Sequence, residues 1–147
     1  MAHTFTCLYF HIVFSTKFRR PTIPTELRPR LWSYMGGIAR ENRFRALAIG
    51  GMSEHAHLLL SLNPPMPICT AVQLMKAGSS GWMSDLTNKD FKWQEGYAAF
   101  TVSLSNLDSV KHYVDHQEEH HRKIDFATEW KLLLQKHGIA LPPRDSR

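Results

Sequence analysis

Two histidines separated by one residue open an apolar stretch near the middle of the chain, His55-Ala56-His57. Side chains two positions apart in a β-strand point to the same face, so both imidazoles would lie within reach of one ion or one phosphate. Ala56, Leu58 and Leu60 would point to the opposite face, toward a core. The pattern indicates a cation or phosphate site, and the alternative is two satisfied histidines on a partly exposed strand.

A second polar pair, Tyr113 and Gln117, lies in a stretch with helical periodicity. Residues four apart share one face of a helix. This face adjoins an apolar stripe formed by Leu107, Val110 and Val114, so both polar groups should lean toward the sheet. A half-buried tyrosine most often serves packing, which remains the alternative for this residue taken alone.

Together the two pairs suggest a specific chemistry. The imidazoles of His55 and His57 and the amide oxygen of Gln117 could hold a divalent cation. All three ligands are neutral, which favours a bound phosphate and predicts weak metal binding without substrate. Tyr113, one turn from the amide, could attack that phosphate, with the ion polarising the phosphoryl oxygen. The resulting phosphotyrosine ester conserves the bond, which suits the rejoining of strands.

The elements that would position these groups follow from hydrophobic periodicity. Strands are predicted over residues 4–16, 44–52, 55–62 and 96–103. Helices are predicted after a cap at Thr25, over 68–84, from Ser105 or Asn106 to about 122, and from Phe126 to a stop at Gly138. The order β-α-β-β-α-β matches the ferredoxin-like motif. We therefore predict an α+β fold with an antiparallel sheet, packed helices and an appended C-terminal helix. Residues 1–141 would form one domain and 142–147 a disordered tail.

Composition sets broad limits on the partner and the compartment. The chain has 147 residues, a net charge of +5 and nine histidines, which mildly favours a polyanionic partner. No apolar run is long enough for a transmembrane helix, and the first residues do not resemble a signal peptide. Cys7 and Cys69 are isolated in apolar surroundings and are predicted to be buried free thiols. These features predict a cytoplasmic protein without a membrane partner.

The histidine pair followed by Tyr113-x-x-x-Gln117 resembles the HUH-type single-tyrosine transposases of small insertion sequences. The resemblance is greatest to the branch associated with repetitive extragenic palindromes (REP), and it covers most of residues 9–139. The chain departs from the family at Ala56, where a bulkier apolar residue is commoner, and at Ala98, where glycine is commoner. The other matching stretches are His11–Lys17, Ile49–Gly51, Trp93–Ser103, Gln117–His121 and Phe126–Ile139.

This resemblance implies a role for each matching residue. Tyr113 would be the nucleophile and form a 5′-phosphotyrosine link to single-stranded DNA. His55, His57 and Gln117 would bind Mg²⁺ or Mn²⁺, and no nucleotide cofactor would be needed. The family also implies hairpin DNA as the substrate and a homodimer whose sheets join. Two other functions remain open, a hairpin-binding module that no longer transposes and a hydrolytic metallophosphodiesterase.

Several other side chains are candidates for DNA contact because they are cationic, hydroxyl-bearing, aromatic or near the site. They are Lys17, Arg19, Arg20, Lys76, Ser79, Ser80, Trp93 and His121. The alternatives are ordinary surface charge for the basic residues and a core or dimer position for Trp93. His112, His116 and His120 repeat every four residues as in some zinc sites, but a solvated polar face is favoured because no fourth ligand has sensible spacing.

Overall fold

The computed structural model describes residues 3–141 as one antiparallel sheet covered by helices. The strands are β1 (Tyr9–Ser15), β2 (Arg45–Gly51), β3 (His55–Ser61) and β4 (Ala98–Val102). The helices are α1 (Arg28–Glu41), α2 (Ile68–Thr87), α3 (Leu107–Asp115), α4 (Gln117–His120) and α5 (Phe126–Lys136). The sheet order is β2-β3-β1-β4. The predicted α+β fold with its βαββαβ order is confirmed, and the six elements are followed by α3, α4 and α5.

The two central strands are buried on both faces because helices cover each side of the sheet. One face packs against α1 and α2 and contains the alternating residues Ile12, Phe14, Leu58 and Leu60. The other face is covered by α3 and α5. Every residue of β3 from its first position to Leu60 is buried, so any polar side chain on this strand needs a partner.

Strand register brings a third histidine to the face that carries the histidine pair. β1 pairs with β3 so that Val13 lies opposite His57 and Ser15 lies opposite His55. His11, two residues before Val13, is therefore the diagonal neighbour of His57 on the same face. The prediction that His55 and His57 share a face is confirmed, because ring nitrogens of both approach the same carboxylate.

Gly50, near the end of β2, allows α3 to approach the sheet closely, and Gly51 allows the tight connection from β2 to β3. A Cβ atom added at Gly50 would collide with the backbone carbonyl oxygen of Val114, and one at Gly51 would collide with the carbonyl oxygen of His55. Gly50 pairs with His57 across the sheet. The backbone of α3 therefore rests directly on the sheet beside the histidine pair, which positions the neighbouring Tyr113.

Several local predictions differ from the structure. The first strand begins at Tyr9, after residues without regular structure. Thr25 lies in a 3₁₀ turn that precedes α1, and its side chain does not cap a helix. The predicted third helix is divided at His116, whose φ of −113° and ψ of 34° are not helical. Asn106 precedes α3 without a side-chain cap.

The cysteine prediction is wrong, because Cys7 and Cys69 are both exposed. Cys7 lies outside β1, and Cys69 lies in the first turn of α2, so neither enters the apolar layer. Within residues 3–141 no helix is long and apolar enough to cross a membrane. The predicted disordered tail, 142–147, lies outside the described residues.

We predict that Gly50→Ala destabilises the fold. The added methyl group would push α3 off the sheet, and overpacking of this kind costs about 1–3 kcal/mol of unfolding free energy. Urea denaturation measures the loss. Gly81→Ala is the matched control, because a Cβ atom there meets nothing within 4 Å. Equal stability of the two variants would contradict the close approach of α3.

Candidate active site

The Nδ1 atom of each histidine in the pair forms a hydrogen bond with a neighbouring side chain. His55 Nδ1 donates a hydrogen bond to Glu54 Oε1 at 2.6 Å. His57 Nδ1 shares a hydrogen bond with His11 Nε2 at 2.8 Å. These contacts fix both rings, so that the two Nε2 atoms point into one space between β3 and the helices. Such outer contacts are typical of histidines that bind metal ions.

Tyr113 and Gln117 reach this space from the helical side. Gln117 Oε1 lies 3.1 Å from His55 Nε2, and its amide nitrogen donates to the backbone carbonyl of Tyr113 at 3.2 Å. The ring centroid of Tyr113 is 5.5 Å from that of His57, and its hydroxyl donates to Glu129 Oε2. The two sequence-predicted pairs therefore meet within a single chain.

Glu129 on α5 occupies the centre of this cluster and was missed in the sequence. Its side chain is 1 % exposed. Its Oε1 atom lies 3.3 Å from His55 Nε2, 3.1 Å from His57 Nε2 and 3.0 Å from His121 Nε2. The three ligands predicted from the sequence are neutral, and the structure places a carboxylate beside them.

A signal for Glu129 is present in the sequence. It follows Phe126 by three residues and precedes Leu133 by four, so it falls on the apolar side of its helix. A carboxylate on an apolar stripe is nearly always paired. The second missed residue, His11, shares its strand face with Val13, but its contact with the pair depends on a strand register that no short motif specifies.

Electrostatic coupling keeps the central carboxylate ionised. Burial alone would raise the pKa of Glu129, but hydrogen bonds from His121, His55 and His57 outweigh it and hold that pKa far below its usual range. Burial likewise acts to lower the pKa of His55, but the carboxylates of Glu129 and Glu54 outweigh it and raise that pKa. One histidine of the pair therefore tends toward the protonated form.

The other groups are held in their neutral forms. Burial lowers the pKa of His57 to about 4 and the pKa of His11 well below its usual value. Burial, followed by the negative charge of Glu129, raises the pKa of Tyr113 well above its usual range. At neutral pH His57 is therefore a neutral imidazole, the form that binds metal ions, and the phenol keeps its proton.

The donor set fits a divalent cation. One ligand atom each from His55, His57, His121 and Glu129 lie within 4.8 Å of one another, and Gln117 Oε1 is beside them. Neighbouring ligands of an octahedral ion with bonds of about 2.1 Å are about 3.0 Å apart. The 3.0–3.3 Å between Glu129 Oε1 and the three imidazole nitrogens matches this spacing. Mixed nitrogen and oxygen donors suit ions such as Mn²⁺ and Zn²⁺.

Two of the predicted DNA-contact residues are in the core and cannot contact DNA in this fold. Trp93 is 7 % exposed and packs edge-on against Phe14 and Phe91. Its indole nitrogen donates to the hydroxyl of Ser79, which is fully buried, at 2.9 Å. The prediction for Trp93 and Ser79 is wrong, because α2 turns Ser79 inward and Trp93, which bridges to Thr16 after α2, packs into the core; the core alternative for the tryptophan is correct.

His121 also has a different environment from the predicted one. Its Nε2 atom lies 3.0 Å from both Gln117 Oε1 and Glu129 Oε1, and its side chain is 6 % exposed. It therefore belongs to the cluster and not to an open DNA-contact surface. The short helix α4, which begins at Gln117, brings both residues to the same site.

The helical histidine repeat divides into two parts. His112 and His116 are exposed and stack with their ring centroids 3.8 Å apart, which confirms the predicted solvated face for these two. His120 instead lies beside the site, with its ring centroid 5.0 Å from Tyr113 and its Nε2 atom 3.4 Å from Glu129 Oε2.

The basic turn after β1 adjoins the site. DNA contact by its residues Lys17, Arg19 and Arg20 stays a prediction. Lys17 and Arg20 lie over the ring of Phe18, which is 70 % exposed. Arg19 lies over the ring of Phe126 at 5.1 Å, and this ring stacks on the first histidine of the pair at 4.1 Å. A cationic surface therefore leads from the turn toward the buried cluster.

Lys76 and Ser80 lie on α2, which covers the opposite face of the sheet. Lys76 Nζ donates to the carbonyl oxygens of Gln94 and Gly96 at 2.8 and 2.5 Å, and burial lowers its pKa to about 8. The hydroxyl of Ser80 donates to the carbonyl of Ala77 at 3.2 Å. Contact of either residue with DNA stays a prediction, and it would be separate from the histidine cluster.

The model of one protein family, IS200-like transposases, matches residues 4–117. The chain belongs to this family. The transposase of insertion sequence IS200 from Salmonella typhimurium is 30% identical over 127 residues, which cover 81% of this chain and 82% of that protein. The ISDra2 transposase TnpA of Deinococcus radiodurans is 26% identical over 119 residues, covering 76% of this chain and 85% of that protein.

Solved structures show the same fold at lower sequence identity. A candidate transposase from Deinococcus radiodurans R1 superposes with a TM-score of 0.65 at 23% identity, covering 80% of this chain and 95% of that one. A REP-associated tyrosine transposase bound to a REP hairpin gives 0.54 at 16% identity, covering 79% and 67%. The resemblance to the transposase family is therefore confirmed, and α5 with Glu129 lies beyond the segment that the family model matches.

We predict that Ser79→Ala lowers stability without weakening DNA binding. The change leaves the buried indole N–H of Trp93 without its acceptor, which costs about 1–3 kcal/mol. Thermal unfolding and hairpin binding by fluorescence anisotropy are the two measurements. Ser80→Ala is the control for stability and should leave the unfolding temperature unchanged, because its hydroxyl donates only to the carbonyl of Ala77 within its own helix turn. A stable Ser79→Ala variant with reduced affinity would restore this residue to the DNA interface.

Proposed function

We propose that this family member is a metal-dependent transposase that cleaves and rejoins single-stranded DNA at hairpin sites through Tyr113. The observation that carries the proposal is the convergence, in one chain, of a phenol and a buried set of metal-binding groups. The ring of Tyr113 is 5.5 Å from that of His57, and Gln117 links the helices to His55.

The proposed mechanism assigns a task to each group. His55, His57 and Gln117 would hold the divalent ion, Mg²⁺ or Mn²⁺, which withdraws electron density from the scissile phosphate when bound. Tyr113 would attack the phosphorus, forming a 5′-phosphotyrosine ester and releasing a 3′-hydroxyl. Because the ester conserves the bond, a second 3′-hydroxyl could reverse the step without a nucleotide cofactor.

Partners beyond the active site are part of the same proposal. A solved relative is bound to a REP hairpin, which supports a hairpin in single-stranded DNA as the substrate. The homodimer stays a proposal, for which the edge strands β2 and β4 are the available sites of sheet joining. We place the reaction in the cytoplasm of a prokaryotic cell, where such DNA is accessible.

Tyr113→Phe is expected to abolish covalent attachment and to leave hairpin binding intact. A hairpin oligonucleotide labelled at its 3′ end is incubated with the protein and Mn²⁺ and then denatured. The wild-type protein should give a labelled protein–DNA band, because the 5′ phosphate of the downstream fragment is on the tyrosine. The same oligonucleotide labelled at its 5′ end should give only a free fragment.

Tyr34→Phe is the matched control, because Tyr34 is an exposed tyrosine on α1 and should not affect the adduct. Adduct formation by Tyr113→Phe would refute the assigned nucleophile. Cleavage to free products by Tyr113→Phe would indicate the hydrolytic phosphodiesterase. Binding with no adduct from the wild-type protein under any metal would indicate the hairpin-binding module.

Substitution of each residue of the basic turn should weaken DNA binding in a salt-dependent way. If Lys17, Arg19 and Arg20 each contact a phosphate, each change to alanine should flatten the plot of log affinity against log salt by about 0.7 for single strands. Anisotropy titrations at several KCl concentrations measure this slope. Arg40→Ala, on the opposite side of the sheet, should keep the wild-type slope. Unchanged slopes in all three variants would remove the turn from the interface.

A further inference from the structure

Glu129 has contacts that the proposed chemistry of the family residues does not use. It lies on α5, outside the segment that the family model matches, yet it touches both histidines of the pair and the nucleophile. Burial of a carboxylate is costly unless it is well paired. Within the described residues, the hydrogen-bond and ion-pair partners of its side chain are imidazoles and one phenol, which are groups that bind metal ions or react at them.

The distances around its Oε1 atom are those expected of ligands that share one ion. Three imidazole Nε2 atoms, from His55, His57 and His121, lie 3.0–3.3 Å from this oxygen. The outer nitrogens of the pair are already bound, so their Nε2 atoms are the ones that face the carboxylate. A cation bound among these atoms would replace the N–H···O hydrogen bonds with metal–ligand bonds. The backbone would not have to move.

Charge gives the carboxylate a distinct role among the donors. Two imidazoles and an amide contribute no charge, and such a site would depend on the DNA phosphate to compensate the ion. One ionised carboxylate halves the formal charge of a divalent ion before DNA arrives, and the buried position of Glu129 strengthens this attraction.

The two carboxylate oxygens of Glu129 contact different groups, one on the side of the proposed ion and one at Tyr113. Oε1 faces the imidazole nitrogens, whereas Oε2 accepts the hydrogen bond of the Tyr113 hydroxyl. A single carboxylate can therefore fix the phenol beside the ion. This arrangement also makes Oε2 of Glu129 an acceptor for the proton of the Tyr113 hydroxyl.

We propose that Glu129 is the anionic ligand of the divalent ion and that the site therefore binds metal before DNA. This inference rests on the proposed function, because it concerns the same ion. It differs from the assigned ligand set in adding a charged residue from the C-terminal helix. The alternative is a carboxylate that only stabilises the protonated form of His55 and never contacts metal.

The first test measures Mn²⁺ binding without DNA, by electron paramagnetic resonance of the free ion. The wild-type protein should bind Mn²⁺, and Glu129→Gln should bind it at least about tenfold more weakly. Mutation of residues that only hydrogen-bond to metal ligands already lowers metal affinity by about this factor. Glu119→Gln is the matched control, because Glu119 is exposed on the neighbouring α4 and should keep the wild-type affinity.

A second test detects the ligand bond itself and does not depend on a loss of function. Glu129→Cys is made in a Cys7→Ser, Cys69→Ser background, which removes the two native thiols. Addition of Co²⁺ should give a thiolate-to-cobalt charge-transfer band in the near ultraviolet. Glu119→Cys in the same background should give none. Far-ultraviolet circular dichroism of each variant shows that the fold is retained.

The outcomes separate this inference from the proposed function. Wild-type Mn²⁺ affinity in Glu129→Gln together with no charge-transfer band in Glu129→Cys would overturn the inference. If His57→Ala loses metal in that case and the wild-type protein still forms the adduct, the proposed function stands. Adduct formation by the wild-type protein in EDTA would instead overturn the metal-dependent function. Absence of Mn²⁺ binding to the wild-type protein without DNA would overturn the order of binding proposed here.

Discussion

Burial of the central strands on both faces is the constraint on which the site depends. The face of β3 that packs on α1 and α2 is apolar. The opposite face carries His55 and His57, whose imidazoles are not exposed to bulk water. Each buried polar side chain must then find a partner, and in residues 3–141 no buried side-chain nitrogen or oxygen lacks one. The chain meets this demand with Glu54, His11, Gln117 and Glu129, and the same partners aim the ring nitrogens at one another.

Much of the fold and part of the site could be predicted because they depend on local periodicity. Alternation along β3 and the four-residue spacing of Tyr113 and Gln117 indicate facing directions without knowledge of tertiary structure. Glu129 and His11 depend on how α5 packs and on how β1 is registered, which short spacings do not specify. The same limit explains the error at Ser79, whose hydroxyl was assigned to a surface although helix packing turns it inward.

The two sides of the sheet have different tasks. The side covered by α1 and α2 is an apolar layer, at whose margin Lys76 donates to two backbone carbonyls before β4. The side covered by α3 and α5 contains the polar cluster and adjoins the basic turn. The polar cluster therefore lies in only one of two stabilising layers, and the two are joined through the backbone of β1 and β3.

The position of Tyr113 beside the histidines of its own chain has a kinetic consequence. Under the proposed mechanism one chain would supply every reacting group, so cleavage would not wait for two chains to meet and each molecule would act at any dilution. Assembly of two copies would then govern how two cut ends are brought together for exchange. Cutting would be first order in protein, and only joining of ends held by different copies would depend on association.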